Sequence, residues 1–338
     1  MKVSIICPTY NEERYIKQCI SSILAQDYPQ EDVEVLFVDG MSTDKTRSII
    51  TQYTGQYSFI RLLDNTFRIV PYAMNIGITQ AQGDIIVRMD AHARYAINYI
   101  STLVHYITTL PDAVNVGAPC KTLCLSDTPK SQAIAIVLSS RFGVGGSDFR
   151  IGIDKVKQTD TVPFGCWKKE SFTKYGMFDT RLVRNQDIEM NRRIAARGGH
   201  IYIVPETYSI YYARDTYQTL SKNNYQNGKW NILTIYYTNK LHSLSVRHFV
   251  PLCFVLSLIV PLLLCGVCPW ILMVTGISLL IYLCVLGVIS ARIANVRKLK
   301  LGYVLWAFIT VHLSYGWGSL IGLLSLPWIK KHDTKIYI

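Results

Sequence analysis

Over its first third the chain alternates short apolar runs with amphipathic stretches. Lys2–Cys7, Val33–Val38, Phe59–Leu63 and Asp84–Met89 have the length of strands and end at Pro, Gly or polar residues. Near-continuous apolar runs of this kind read as strands buried on both faces. Between them, Glu13–Gln26 places Ile16, Ile20, Ile23 and Leu24 on one helical face. Ser42-Thr43-Asp44 starts a second helix that reaches about Tyr53, and Ala73–Gln80 makes a third. The alternation predicts an α/β fold with a mostly parallel, open sheet and right-handed crossovers. After a helix at Asn98–Leu110 and a strand at Ala113–Pro119 the rhythm changes. Ser126–Ile153 contains Phe142-Gly143-Val144-Gly145-Gly146-Ser147, expected to be a flexible loop. Asp187–Arg197 is a polar helix stopped by Gly198-Gly199. His200–Val204 then reads as a strand and Tyr217–Asn231 as a helix leading to a different kind of sequence.

From Phe249 to Trp328 the chain is almost wholly apolar, broken by Arg292, Arg297, Lys298 and Lys300. Phe249–Cys268 and Trp270–Ile289 are each long enough to cross a bilayer, which takes about 20 apolar residues. Leu301–Trp328 is a third, longer stretch. The charge follows the same division: of the formal +12, Leu241–Ile338 carries eight Lys/Arg against one acid, Asp333. Basic residues beside spans mark the cytoplasmic side and favour anionic lipid, so no nucleic-acid partner is expected. Nine cysteines divide between the apolar segments and the rest, with no framework of pairs, which fits a reducing cytoplasm. Cys265 and Cys268 have metal spacing but lack partner ligands, and read as small apolar packing. The opening strand leaves no room for a signal peptide, so none is expected.

The chemistry gathers at strand ends. Asp90-Ala91-His92 closes the fourth strand, and a carboxylate and an imidazole at i, i+2 leave an extended segment on the same side. In open α/β sheets, ligands bind beyond the carboxyl ends of strands. An oxygen and a nitrogen donor there suit a divalent ion on a diphosphate; the plainer alternative is an Asp capping the next helix beside a packing His. Pro8-Thr9-Tyr10-Asn11-Glu12 follows the first strand, and Asp39-Gly40 with Ser42 and Asp44 follows the second. Asp39 can accept a hydrogen bond from a base or ribose, or each segment can be a capped turn.

Together these three strand ends resemble the nucleotide-sugar half of a family 2 glycosyltransferase with the GT-A fold, over roughly residues 1–230. The resemblance implies that Pro8, Tyr10, Asn11, Glu12 and Asp39 hold the nucleoside, with Arg68 and Asn75 as weaker candidates on that side. It implies that Asp90 and His92 hold metal and diphosphate, with His in place of the family's second Asp. Imidazole is a poor Mg2+ ligand, so Mn2+ is favoured over Mg2+. Arg184-Asn185-Gln186-Asp187-Ile188-Glu189 resembles the family's Glu-Asp motif with Gln for Glu, which makes Asp187 the expected catalytic base, ahead of Glu189. Gln186 and Trp167 would border the acceptor, with Trp167 stacking on a sugar or packed in the core, and Lys168 or Lys169 meeting a lipid pyrophosphate or lying on a solvated face. Gln226 and Trp230 lie in a segment similar to the Gln-x-x-Arg-Trp element of membrane polysaccharide synthases, with Lys229 for Arg.

The combination of Arg88-Met89-Asp90-Ala91-His92-Ala93, Phe142–Ser147 and Asn185-Gln186-Asp187 is most similar to succinoglycan-type exopolysaccharide glucosyltransferases. That subgroup implies transfer from a nucleotide sugar, UDP-glucose favoured, to a polyprenyl-diphosphate-linked oligosaccharide at the cytoplasmic face of the inner membrane. Other polysaccharide assembly proteins are then candidate partners. A processive synthase and a non-catalytic scaffold are the alternatives. The expected organisation is a catalytic domain at 1–230, a connector at 231–248, a membrane domain at 249–328 and a basic tail at 329–338. Arg247 would mark the cytoplasmic end of the first span, Gly266–Trp270 the outer turn and Arg292–Lys300 the inner one. A third crossing would carry Lys330, Lys331 and Lys335 outside; charge therefore favours a re-entrant hairpin bending near Ser314–Gly318.

Overall fold

The structure is a computed structural model that describes residues 1–241 and 244–329. In chain order, β1 (Val3–Thr9), α1 (Ile16–Leu24), β2 (Val33–Asp39), α2 (Thr46–Thr54), β3 (Ile60–Asp64) and α3 (Val70–Gln80) lead to β4 (Ile85–Arg88). Then follow β5 (Ala93–Tyr95), α4 (Tyr99–Thr109), β6 (Ala113–Gly117) and β7 (Cys120–Leu123). The middle of the chain forms α5 (Pro129–Val137), α6 (Arg141–Val144), α7 (Asp148–Ile151), β8 (Lys157–Gln158), β9 (Cys166–Lys168), α8 (Glu170–Tyr175) and α9 (Gln186–Ala195). After β10 (His200–Ile203) and β11 (Ser209–Tyr212) the chain is helical: α10 (Tyr217–Thr238), α11 (Val250–Leu264), α12 (Leu272–Arg297) and α13 (Leu301–Ser325).

Two compact units result. One joins Met1–Lys121 to Asp148–Tyr211; the other joins Thr122–Ser147 to the chain from Tyr212 onward. Thr122–Ser147, read above as part of the catalytic domain, therefore groups with the C-terminal helices.

The first unit is built on a sheet in the order β3-β2-β1-β4-β9-β6-β10-β8. β1 to β4 run parallel, β9 runs antiparallel between β4 and β6, and β10 is again parallel to β6. Period-two alternation sends Ile5, Val35 and Phe37 into the cluster holding α1 and α4. It sends Ile6, Leu36 and Val38 into the cluster holding α3 and α9. Both faces are covered, which is why the strands read as continuous apolar runs. No local pattern marks β9 as a strand. It is three residues long, follows Pro163 and Gly165, and is a strand only because β4 and β6 flank it.

In the second unit Ser126–Ser147 is helical rather than a loop. The Thr128 side chain caps α5 by accepting from Ser131 N, with Pro129 at the first turn. Ser140 caps α6, and Gly145 ends it at φ 62° in the left-handed region that favours glycine. Ala133, Ile134 and Val137 of α5 then bury against Val304, Ala307, Phe308 and Val311 of α13.

Three helical segments are long and apolar enough to cross a membrane: Val246–Leu264, Pro269–Arg297 and Leu301–Trp328. The hairpin expected near Ser314–Gly318 does not form, because α13 runs unbroken from Leu301 to Ser325. Its glycines serve close helix approach instead. A Cβ at Gly318 would overlap the Tyr225 carbonyl of α10, one at Gly228 of α10 would overlap the Tyr315 carbonyl, and one at Gly316 would overlap the Pro251 carbonyl of α11. Lys330, Lys331 and Lys335, which motivated the hairpin, lie outside the described residues. Gly228→Ala and Gly318→Ala are each expected to cost about 1–3 kcal/mol by overpacking. Thermal unfolding of the detergent-solubilised protein measures this, and an unchanged midpoint in both variants would refute the tight α10–α13 contact.

Candidate active site

The loops after β1 and β2 are stitched together at the carboxyl edge of the sheet. Asn11, in the left-handed region at φ 55°, donates its N–H to Ser42 Oγ at 2.8 Å. Its Oδ1 accepts from Thr43 N at 2.9 Å. Glu12 N donates to Thr46 Oγ1 at 2.7 Å. Asp39 is 0% exposed: Oδ2 accepts from Ser42 N at 2.8 Å and from Arg47 Nη1 at 2.9 Å, and Oδ1 from Ser42 Oγ at 2.5 Å. Its carboxylate thus holds the loop closed, the capped turn of the two alternatives open for it, and does not face a base. A Cβ at Gly40 would come within 3.1 Å of Tyr10 Cδ2 and 3.3 Å of Arg68 Cα, so glycine lets three loops converge here. Tyr10 and Arg68 are exposed beside it.

One strand over, β4 delivers the centre of the site. Arg88 ends the strand with its side chain only 5% exposed. Its Nε and Nη2 donate to Asp90 Oδ1 and Oδ2 at 2.7 and 3.0 Å. Its Nη1 donates to both oxygens of Asp187, at 2.6 and 2.8 Å. One guanidinium therefore joins the carboxylate after β4 to a carboxylate in the first turn of α9. Asp90 N donates to Tyr95 Oη at 2.5 Å, anchoring the turn from below. His92, 43% exposed, meets Glu12 Oε1 through Nδ1 at 3.0 Å, which orients the ring and ties the β4 loop to the β1 loop.

Electrostatics follow from two carboxylates sharing one cation. Burial pushes the Asp187 carboxyl above its ordinary range; Arg88 pulls it down and Asp90 adds to the rise. For Arg88, burial would lower the pKa, but Asp187 and Asp90 outweigh it and the guanidinium stays charged. Asp187, a quarter exposed, is the reachable member of the set. Glu189, two residues on, is 8% exposed and forked by Arg193 at 2.9 and 2.8 Å. Gln186 is 7% exposed, and its Oε1 has no hydrogen-bond partner among the described residues.

As a metal site the arrangement is partial. Among the described residues no three His, Cys, Asp or Glu converge. Asp90, with both oxygens on Arg88, and His92, with Nδ1 on Glu12, would supply at most an oxygen and a nitrogen donor of a shell that a diphosphate would have to complete.

Other expected residues lie elsewhere. Trp167 is 2% exposed and packs against Phe172 and Phe178, with ring centroids 5.7 and 6.0 Å away. It is core, since β9 sits mid-sheet, and it offers no face to a sugar. Lys169 Nζ donates to the Ala81 carbonyl at 2.6 Å, which removes it as a pyrophosphate ligand. Asn75 clips the backbone of Phe178 in both directions, at 2.9 and 3.0 Å. Gln226 and Trp230 belong to the second unit; Trp230 is 3% exposed and stacks with Tyr237. The central residue without an assigned role in the sequence is Arg88. A lone arginine inside a buried strand needs carboxylate partners, and that was the available signal.

Comparison with known proteins identifies the family and the fold. The description Glycosyl transferase family 2 matches residues 4–145. A dolichyl N-acetyl-alpha-D-glucosaminyl phosphate 3-beta-D-2,3-diacetamido-2,3-dideoxy-beta-D-glucuronosyltransferase of Methanococcus voltae is 31% identical over 233 residues, covering 67% of this chain and 71% of that protein. Succinoglycan biosynthesis protein ExoA of Rhizobium meliloti is 28% identical over 224 residues, covering 62% of this chain and 63% of that protein. Among solved structures, the mannosyltransferase PcManGT from Pyrobaculum calidifontis, in complex with GDP-Man and Mn2+, has TM-score 0.60 at 19% identity and covers 97% of this chain and 87% of its own. TarS 1–349 of S. aureus in complex with UDP-GlcNAc has TM-score 0.51 at 18% identity, covering 96% and 92%. These structures share the GT-A fold of the first unit.

Proposed function

The chain belongs to glycosyl transferase family 2, and from that premise we propose that it moves a sugar from a nucleoside-diphosphate donor to a lipid-linked acceptor with inversion at the anomeric carbon. UDP-glucose is the favoured donor and a polyprenyl-diphosphate-linked oligosaccharide the favoured acceptor, in exopolysaccharide or related glycan synthesis. The relative named for succinoglycan biosynthesis and the relative named for a dolichyl phosphate substrate support a lipid-linked acceptor in glycan synthesis, while UDP-glucose rests on the motif resemblance alone. The three long apolar helices support a multi-pass membrane protein, and the basic residues Arg247 and Arg292–Lys300 favour an inner-membrane protein with its catalytic unit cytoplasmic.

The observation that carries the reading is the Asp90–Arg88–Asp187 bridge, which brings a phosphate-side carboxylate and a candidate base into one site. Asp187 takes the acceptor hydroxyl's proton as its oxygen attacks the anomeric carbon. One base and one displacement invert that centre. Asp90 and His92 would hold a divalent ion, Mn2+ in preference to Mg2+, whose contribution is to neutralise charge on the departing diphosphate. Glu12 keeps the His92 ring oriented for that role. In this reading Tyr10 and Arg68, exposed around Gly40, border the nucleoside.

The test is a panel of nucleotide sugars offered to membranes with Mn2+ or Mg2+ and a lipid-linked acceptor. One donor consumed with one sugar added per acceptor is the expected result. A ladder of products would favour a processive synthase, and no consumption of any donor would leave a non-catalytic scaffold.

A further inference from the structure

Arg88 places a fixed cation between two carboxylates in a site that also takes a divalent cation. We infer, on the transferase reading above, that Arg88 is a positioning residue that stands in for the metal before the donor arrives. It makes metal loading depend on the donor's diphosphate and holds Asp187 in register for the acceptor.

All three guanidinium nitrogens are engaged, Nε and Nη2 on Asp90 and Nη1 on both oxygens of Asp187. The side chain is 5% exposed, so solvent and salt screen its charge weakly. A divalent ion arriving alone at Asp90 enters beside this positive charge and is repelled by it. The chain offers little to offset the repulsion, because no third acidic, thiol or imidazole ligand converges there among the described residues. A nucleoside diphosphate brings the missing negative charge, so metal and donor enter together. A bound metal would be held by Asp90, while the separate Nη1 contacts would keep both Asp187 oxygens in place. The two functions need different properties: repulsion needs only a positive charge, whereas the double fork needs a planar guanidinium. Lysine supplies the first and not the second.

The experiment titrates the full chain in detergent with Mn2+, reading free Mn2+ by electron paramagnetic resonance, with and without UDP or GDP. Wild type is expected to bind Mn2+ alone weakly and about tenfold more tightly with one of the nucleotides. Arg88→Met should bind Mn2+ alone about tenfold more tightly than wild type, with the nucleotide effect reduced. Arg88→Lys should keep the weak free-metal binding of wild type yet lose about 100-fold in kcat with donor KM little changed. Near-ultraviolet circular dichroism checks that each variant folds, and the lysine variant keeps the charge balance if the methionine variant does not. Free-metal affinity unchanged in Arg88→Met, or wild-type kcat in Arg88→Lys, would overturn the inference while leaving the transferase intact. Absence of Mn2+ binding with either nucleotide in wild type, together with no donor turnover, would instead overturn the reading beneath it.

Discussion

Asp187→Asn is expected to lower kcat for sugar transfer by about 10³-fold while leaving nucleotide binding within a small factor of wild type. Asparagine keeps the shape and one acceptor oxygen for Arg88, but cannot take a proton. The pH profile gives the same residue a second signature. Burial, reinforced by Asp90 and opposed by Arg88, holds the Asp187 carboxyl above its ordinary value. A base works only when ionised, so wild-type kcat/KM should climb as pH rises through that elevated pKa. It should fall away below it, in a window higher than that of an exposed carboxylate. In Asp187→Asn the residual rate should lose this limb. A variant retaining more than about a tenth of wild-type kcat would remove Asp187 as the base and turn attention to another group.

Asp90→Ala carries the second large effect, a loss of about 10² to 10³ in kcat/KM together with loss of Mn2+-dependent nucleotide binding. Two consequences combine in it. The site loses its oxygen ligand, and Arg88 keeps its fork on Asp187 alone, a one-to-one pair that pulls the Asp187 carboxyl down. The acid limb should therefore move to lower pH even as the rate falls. His92→Ala should cost less, since the diphosphate replaces a neutral ligand more easily than a charged one. Isothermal titration of UDP or GDP with and without Mn2+ measures both variants. Equal metal dependence in wild type and Asp90→Ala would place the metal elsewhere.

Both expectations depend on residues that stand far apart in the chain and are joined by one side chain that carries no obvious motif. That contrast separates what sequence decides from what folding decides here. Strands β1 to β4 and the helices between them were legible because each is a local pattern: apolar runs for strands covered on both sides, and a 3.6-residue period for α1. The membrane segments were legible for the same reason, since about 20 consecutive apolar residues are a local property. Asp90, His92 and Asp187 stood out because polar residues at strand ends and helix starts mark the edge of an open sheet.

What the chain could not state locally is where non-adjacent elements meet. Locally, Trp167 is compatible with either a sugar platform or the core, and what decides for the core is that β9 inserts between β4 and β6. Asp39 read as a ligand contact until Arg47 and Ser42 closed around it. Gly316 and Gly318 read as a bend, yet in tertiary context they let α13 lie against α11 and α10 without breaking. Arg88 shows the limit most clearly. The sequence by itself determined that a charged residue ends a buried strand, which demands partners. The turn after β4 brings Asp90 round to it, and only the packing of α9 against the sheet decided that the second partner is Asp187. Desolvation makes a buried guanidinium take whatever carboxylates the fold brings within reach, and their identity is a property of the fold alone.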